Sequence, residues 1–248
     1  MSIDLKPEGP GGDRLKEKKD AGTARPLPFH HRAVLLYAVR IAGFLFFAPA
    51  FLFLVYAALP PPATPLMVIR AMDGHGLSKD WVPLSEISPH LQRAVIAAED
   101  GKFCSHGGFD WEAVDTAMQR LRRGGSLRGA STISMQTAKN LLLWPDRTFI
   151  RKGAEVYMTV WLESLLSKKR ILELYLNVIE FGPGLYGAEA AAQHYFGVAA
   201  KDLTKAQAAQ LAAMLPSPLT RTPVPSAYSG TIAARMNDVL LGENGPCG

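Results

Sequence analysis

LQRAVIAAEDGKFCSHGGFD, residues 91–110, is the stretch on which the reading of the whole chain turns. Leu91, Ala94, Val95 and Ala98 recur at the three- and four-residue spacing of a helix with one buried face, and the run leads straight into Glu99 and Asp100. Ser88-Pro89 supplies an N-cap and a first helical position, so a helix is predicted to end at Glu99. A carboxylate at that end faces the negative pole of the helix dipole. Its ionised form is disfavoured there and its pKa raised, which suits a general base and serves no packing purpose.

Outward from this helix, helical signals dominate. Residues 111–123 are helical in composition, 124–129 form a basic glycine loop, and 132–143 open another helix. From Arg151 to Val178 there is no proline and only Gly153 as a weak point, which predicts one long helix or two end to end. Thr204 and Gln207 make a capping box for a helix that Pro216 closes. Strands find little support, so the fold class is mainly α. Residues 60–87 read as an irregular, proline-rich approach segment, 88–225 as the working domain, and 226–248 as a loosely attached tail.

Ile41 to Leu59 contain no charged residue. That length is close to the roughly 20 apolar residues that span a bilayer, and Pro49 costs only a kink in lipid. One transmembrane helix is therefore expected within 33–59; a cleavable signal peptide fits less well, because the apolar stretch starts late and is long. The N-terminal tail, 1–32, carries Lys6, Arg14, Lys16, Lys18, Lys19, Arg25 and Arg32 against five acidic residues, and should be disordered. By the positive-inside rule that tail stays in the cytoplasm and the working domain lies across the membrane. Cys104 and Cys247 are the two cysteines; one sits beside the carboxylates and the other in a Gly-Pro-Cys-Gly tail, so free thiols are expected. The net charge of +5 suits work against anionic lipid or phosphate, although a solvated basic surface explains it equally well. No recognition motif or stacking pattern points to nucleic acid.

Four clusters hold the chemistry: Glu99, Asp100, Phe103, His106 and Asp110; Ser131, Thr132, Gln136, Lys139 and Asn140; Arg151, Lys152 and Glu155; Ser167, Lys168, Glu173 and Asn177. Taken singly, each has an ordinary explanation. Arg151 and Glu155 are four apart and could be a surface ion pair, Lys139-Asn140 a solvated helix face, and His106 a bonded loop histidine. Together they supply two separated carboxylates, several cations and neutral hydrogen-bonders. That set suits a hydroxyl nucleophile and an anionic leaving group: a carboxylate takes the proton and cations hold the departing charge. No HExxH, CxxC or Walker pattern offers a rival cofactor chemistry.

These residues resemble a known family. Glu99-Asp100-Gly-Lys-Phe103-Cys-Ser-His106-Gly-Gly-Phe-Asp110 is similar to the E-D-x-x-F-x-x-H-x-G-x-D block of peptidoglycan glycosyltransferases, and specifically of monofunctional biosynthetic transglycosylases related to the N-terminal domain of class A penicillin-binding proteins. Gly129-Ala-Ser131-Thr132-Ile-Ser-Met135-Gln136-Thr-Ala-Lys139-Asn140 resembles G-x-S-T-I-[ST]-Q-Q-x-x-K-N, and Arg151-Lys152-Gly-Ala-Glu155 resembles R-K-x-x-E. Ser167 to Asn177 is similar to S-K-x-x-I-L-E-x-Y-L-N, and Gly184-Leu-Tyr186-Gly187 fits the block that follows. The likeness covers about Trp81 to Pro218.

The resemblance implies a two-lobed, lysozyme-like helical domain after one membrane anchor. The substrates it implies are a growing glycan on undecaprenyl pyrophosphate as donor and the 4-hydroxyl of lipid II as acceptor, joined in a β-1,4 bond with inversion. Glu99 and Glu155 would be the catalytic carboxylates: Glu99 the base, Glu155 helping Lys139, Arg151 and Lys168 to stabilise the leaving pyrophosphate. Asp100, Phe103, His106, Ser131, Thr132, Gln136, Asn140 and Lys152 would complete the substrate site. No protein-held metal and no obligatory cofactor is implied, with a divalent cation (Mg2+ or Mn2+) as an optional aid. The bacterial inner membrane, a periplasmic catalytic domain, and other wall-synthesis or division proteins as partners follow from the same likeness. Met135 departs from the pattern, standing where the family has the first Gln of a pair. The absence of S-x-x-K implies polymerisation without transpeptidation. The alternative is a lysozyme-like hydrolase or lytic transglycosylase, which has less need of so many cations.

Overall fold

The computed structural model describes residues 29–125, 129–146, 148–239, 241–242 and 245–247. The expected disorder of the N-terminal tail falls largely on residues outside this set. α1 (Phe29–Ala58) contains a stretch, Arg32–Ala58, long and apolar enough to cross a membrane, with Pro49 inside it. The chain divides into two compact units at Gly43/Phe44, within α1.

The C-terminal half of α1 lies against a later helix. Phe46 and Phe47 pack on Trp161, with ring centroids 6.1 and 5.9 Å apart, and the Tyr157 hydroxyl donates to the Phe46 carbonyl. The segment 60–87 is more ordered than expected. Thr64 caps α2 (Pro65–Met72), its side chain accepting from the Met67 N–H, with Pro65 at the first helical position. This is the Ser88-Pro89 grammar again, overlooked beneath the prolines around it. β1 (Ser78–Lys79) then joins β2 (Glu180–Gly182) and β3 (Leu185–Tyr186) in a small sheet of order β1-β3-β2, β1 parallel and β2 antiparallel to β3.

The remaining helices begin where their caps place them. α3 (Pro89–Glu99) is capped by Ser88, α4 (Trp111–Arg122) by Asp110, and α5 (Ile133–Leu142) by Thr132. The long apolar run is two helices, α6 (Phe149–Leu165) and α7 (Lys168–Val178), because the Ser167 side chain accepts from the Arg170 N–H and starts a new helix. α8 (Ala188–Phe196) ends on Gly197 in a left-handed conformation, and α9 (Lys205–Met214) opens with the expected Thr204–Gln207 capping box. α5 packs against α6 and α7, and α3 packs against α9. Leu91, Val95, Ile133, Leu141, Leu172, Leu176 and Leu211 fill one continuous core.

Two expectations about the C-terminus fail. The expected tail carries α10 (Ala227–Arg235), opened by a Ser226–Ser229 capping box and packed on α3 and α9 through buried Ile232, with Met236 buried just beyond. Nor are the cysteines free. β4 (Leu241–Gly242) and β5 (Gly245–Pro246) form a hairpin that turns the chain back to α7 and bonds Cys247 to Cys104, their Cα atoms 5.0 Å apart. Distance along the chain hid this, since only the packing of α10 brings the last residues beside the Glu99-Asp100 loop. The bridge closes a loop spanning a sequence separation of 143 residues. Cys247→Ser should therefore lower stability by about 2–4 kcal/mol, the usual range for a native disulfide. In urea denaturation of the detergent-solubilised chain, reductant should destabilise the wild type and leave the variant unchanged.

Candidate active site

Glu99 is the last residue of α3 and is half-buried. Its Oε2 accepts from Gln136 Nε2 at 2.8 Å, and Gln136 Oε1 accepts from the buried Tyr175 hydroxyl at 3.2 Å. Burial raises the Glu99 pKa, the neighbouring Asp100 adds to the rise, and Gln136, Lys139 and Arg221 oppose it. Loss of hydration is thus the leading cause, and the result is a carboxyl poised to take a proton.

Asp100 does a different job from its neighbour. One oxygen accepts from the Ile133 N–H at the start of α5 (3.0 Å); the other lies 2.9 Å from His106 Nε2. His106 Nδ1 accepts from the Gly108 N–H at 3.2 Å, which leaves Nε2 as the nitrogen that donates to Asp100. Gly108 has φ +92°, and a Cβ there would come within 2.9 Å of both Glu163 and Thr159, so only glycine lets this loop lie on α6. The Thr132 hydroxyl donates to the Gly108 carbonyl (2.6 Å) while accepting from the Met135 N–H (3.1 Å). The loop and the start of α5 are thereby locked together beneath Glu99.

Two cavities border the bonded Glu99–Gln136 pair, one at each residue. The first, about 480 Å³, is bordered by Gln136, Lys139, Asn140 and Arg151, by Arg70 and Glu180, and by apolar Leu66, Trp144, Leu215 and Leu219. The second, about 430 Å³, holds Glu99, Asp100, Ser131 and Thr132 together with Lys102, Arg120 and Arg235. Asn140 is 4% exposed. Among the described residues, three buried side-chain nitrogens lack a hydrogen-bond partner: Arg70 Nε, Asn140 Nδ2 and Arg151 Nε. All three belong to residues bordering the first cavity. An unpaired buried donor costs about 1–3 kcal/mol, so their gathering here marks a place for an acceptor-rich ligand. Burial lowers the Lys139 pKa, with Glu155 and Glu99 pulling it back up.

Not every expected residue faces these cavities. Glu155 is 3% exposed and borders neither: its oxygens accept from Arg151 (2.8 Å) and Lys152 (2.6 Å), so it orients Arg151 from behind. Lys168 donates to Glu163 (2.7 Å) and lies 4.5 Å over the ring of Phe103, which is itself fully buried; both belong to the support of the site. Met135 is buried, so its position makes no hydrogen bond into the cleft. Asn177 pairs with both backbone groups of Val82, and Glu173 accepts from the Leu84 N–H, each tying 82–84 to α7. Arg70, Glu180, Arg120, Arg221 and Arg235 were not foreseen. The Thr64-Pro65 and Ser226–Ser229 caps were the signals for the helices that carry Arg70 and Arg235.

A helical domain with a desolvated carboxyl beside two cation-lined cavities suits a class of proteins that handles anionic substrates. The chain matches the Transglycosylase family model over residues 67–242 and belongs to that family. It is 55% identical over 184 residues to a biosynthetic peptidoglycan transglycosylase of Caulobacter vibrioides, covering 74% of this chain and 78% of that one. Proteins of the same description from Rhodospirillum centenum and Bdellovibrio bacteriovorus are 53% and 49% identical, over 73% and 75% of this chain and 81% and 74% of theirs.

Asp100→Ala should destabilise the fold by about 1–3 kcal/mol for each donor left unpaired, Ile133 N–H and His106 Nε2–H. Asp100→Asn, which keeps one acceptor, should cost less. Urea titration of the three proteins measures the order.

Proposed function

We propose that this protein is a peptidoglycan glycosyltransferase that polymerises lipid II into β-1,4-linked glycan at the outer face of the bacterial inner membrane. The observation that carries the reading is the cavity where three unpaired donors and Lys139 converge beside a carboxyl of raised pKa. Glu99 takes the proton of the acceptor 4-hydroxyl as its oxygen attacks the anomeric carbon of the donor. The bond from that carbon to the pyrophosphate oxygen breaks, and the charge passes to undecaprenyl pyrophosphate. Lys139 and Arg151, the latter held by Glu155, meet that charge; Gln136 fixes the base. One displacement inverts the anomeric centre, and no covalent enzyme intermediate is needed.

The lytic alternative is not favoured. It needs one acidic carboxyl near a neutral glycosidic bond, and gives no role to donors gathered for an anion. The membrane setting is supported by α1 and by α6, where Phe149, Ile150 and Val160 stay exposed on the helix that packs against α1. A divalent cation finds a poor fit on the protein side: both Glu155 oxygens are engaged by cations, and no cluster of three His, Cys, Asp or Glu able to hold a metal occurs among the described residues. No step is routed through one.

Glu99→Gln should abolish lipid II polymerisation, by three orders of magnitude or more in kcat, while the protein stays folded. A carboxyl whose pKa is raised in the folded state loses stability for the fold as pH climbs from the ordinary glutamate value through the raised one. At neutral pH the neutral glutamine should therefore leave the unfolding midpoint unchanged or higher. In the wild type the acid limb of kcat/KM should lie above the ordinary glutamate pKa of about 4.3. Chain growth by Glu99→Gln at the wild-type rate would remove Glu99 from the chemistry.

A further inference from the structure

The first cavity has a cationic wall that none of the motif blocks supplies. Leu66 and Arg70 stand four apart on α2, so both leave the same face of that helix, and both border the cavity. Behind Arg70 is Glu180 of β2, only 5% exposed. Its hydrogen bonds are long, 3.4 Å from the Gly184 N–H and 3.4 Å from the Tyr186 hydroxyl, and Arg70 Nε stands 3.8 Å from its Oε2. That separation is an ion pair without a hydrogen bond. The carboxylate holds the guanidinium in place without engaging Nε, and the Arg70 side chain retains 24% exposure at the cavity wall.

A bridge that merely pinned α2 to the sheet would be expected to satisfy the buried arginine donor. Arg170 shows what that looks like: it donates to the Tyr56 and Leu59 carbonyls and pairs with Glu173. Arg70 leaves Nε unpaired, as do its cavity neighbours Asn140 and Arg151 with their own nitrogens. A guanidinium beside a lysine and a second arginine matches phosphate oxygens in geometry and charge. Leu66, Leu215 and Leu219 beside it offer apolar contact to the first units of an isoprenoid chain. α2 also follows α1 after a six-residue connection, 59–64, so this wall is the part of the cavity nearest in sequence to the membrane helix.

We propose that Arg70, held by Glu180, is a further substrate-binding residue that takes the phosphate oxygens of a polyprenyl diphosphate at the α2 wall of the cleft. The identity of the diphosphate rests on the glycosyltransferase reading above, whereas the anion site itself can be tested without it.

The probe is inorganic pyrophosphate, bound to the full-length protein in detergent and followed by calorimetry for wild type, Arg70→Ala, Arg70→Lys and Glu180→Gln. Arg70→Ala should bind about tenfold more weakly, the change that one interaction of about 1.4 kcal/mol makes. Arg70→Lys should recover part of the loss, since it keeps the charge but not the planar fork. Glu180→Gln removes the counter-charge that competes with an anion while keeping an oxygen of the same reach beside the guanidinium, and should bind as well as wild type or better. Equal affinity in wild type and a folded Arg70→Ala overturns the proposal. So does an equal loss in Arg70→Ala and Glu180→Gln with matching falls in unfolding midpoint, because the pair would then act only as a strut. Steady-state polymerisation adds a second readout: KM should rise about tenfold in Arg70→Ala with a smaller change in kcat. Varying lipid II against a short preformed glycan on polyprenyl diphosphate assigns the diphosphate to acceptor or donor, according to which KM moves; a KM unchanged for both overturns the role in turnover. Pyrophosphate affinity that depends on Arg70 in a protein unable to extend lipid II would sustain the anion site and refute the glycosyltransferase reading instead.

Discussion

Asp100 is the constraint on which the site depends. Its two oxygens join the end of α3, the His106 loop and the first N–H of α5. A base at the last residue of a helix would ordinarily fray, since the terminal turn lacks half its hydrogen bonds. Here the following residue anchors that turn to a second helix, and Gln136, one turn into α5, reaches back to Glu99. The position of the Glu99 carboxyl is therefore set by how α3 and α5 dock, rather than by local conformation.

Burial divides the two proposed catalytic carboxylates. Glu99 is desolvated with a neutral amide as its bonded partner, so its charged form is disfavoured. Glu155 is more deeply buried but holds two cations directly, and its charge fixes the Arg151 guanidinium at the cavity wall. The same device recurs: Glu163 holds Lys168, and Glu180 holds Arg70. Glu155, Glu163 and Glu180 each hold a basic residue, whereas the Glu99 carboxyl is bonded to a neutral amide. A cleft ordered in this way suits a leaving group that carries more negative charge as the reaction proceeds.

Both ends of the chain after α1 converge on the site. α2, which follows the long apolar helix, supplies Arg70 to the first cavity, while α10, near the C-terminus, supplies Arg235 to the second. The Cys104–Cys247 bridge then ties the final residues to the loop that follows Asp100. Arg235 reaches over Gly101, its Nη2 3.4 Å from where a side-chain carbon on that glycine would sit. Segments that looked peripheral in the sequence thus close the cleft.

The sequence alone determined the helices and their starts, because an N-cap is a local contract between a side chain and an N–H two or three residues on. Ser88 and Thr204 cap their helices as their spacing predicts, whereas the cap at Ser167 that divides the long apolar run was read only in the structure. It also gave the long apolar helix and the place of Glu99 at the end of α3, since apolar run length and position on a helix are one-dimensional properties. Thr64 and Ser226 carried the same local signal but were hidden among prolines and in an apparent tail. What only the tertiary structure decided was partnership. Whether Lys168 faced substrate or Glu163, whether Glu155 lined the cleft or stood behind Arg151, and whether the cysteines met depended on contacts between residues far apart in the chain. Such contacts follow from helix packing, which fixes distance and direction in space, and spacing along one strand of sequence encodes neither.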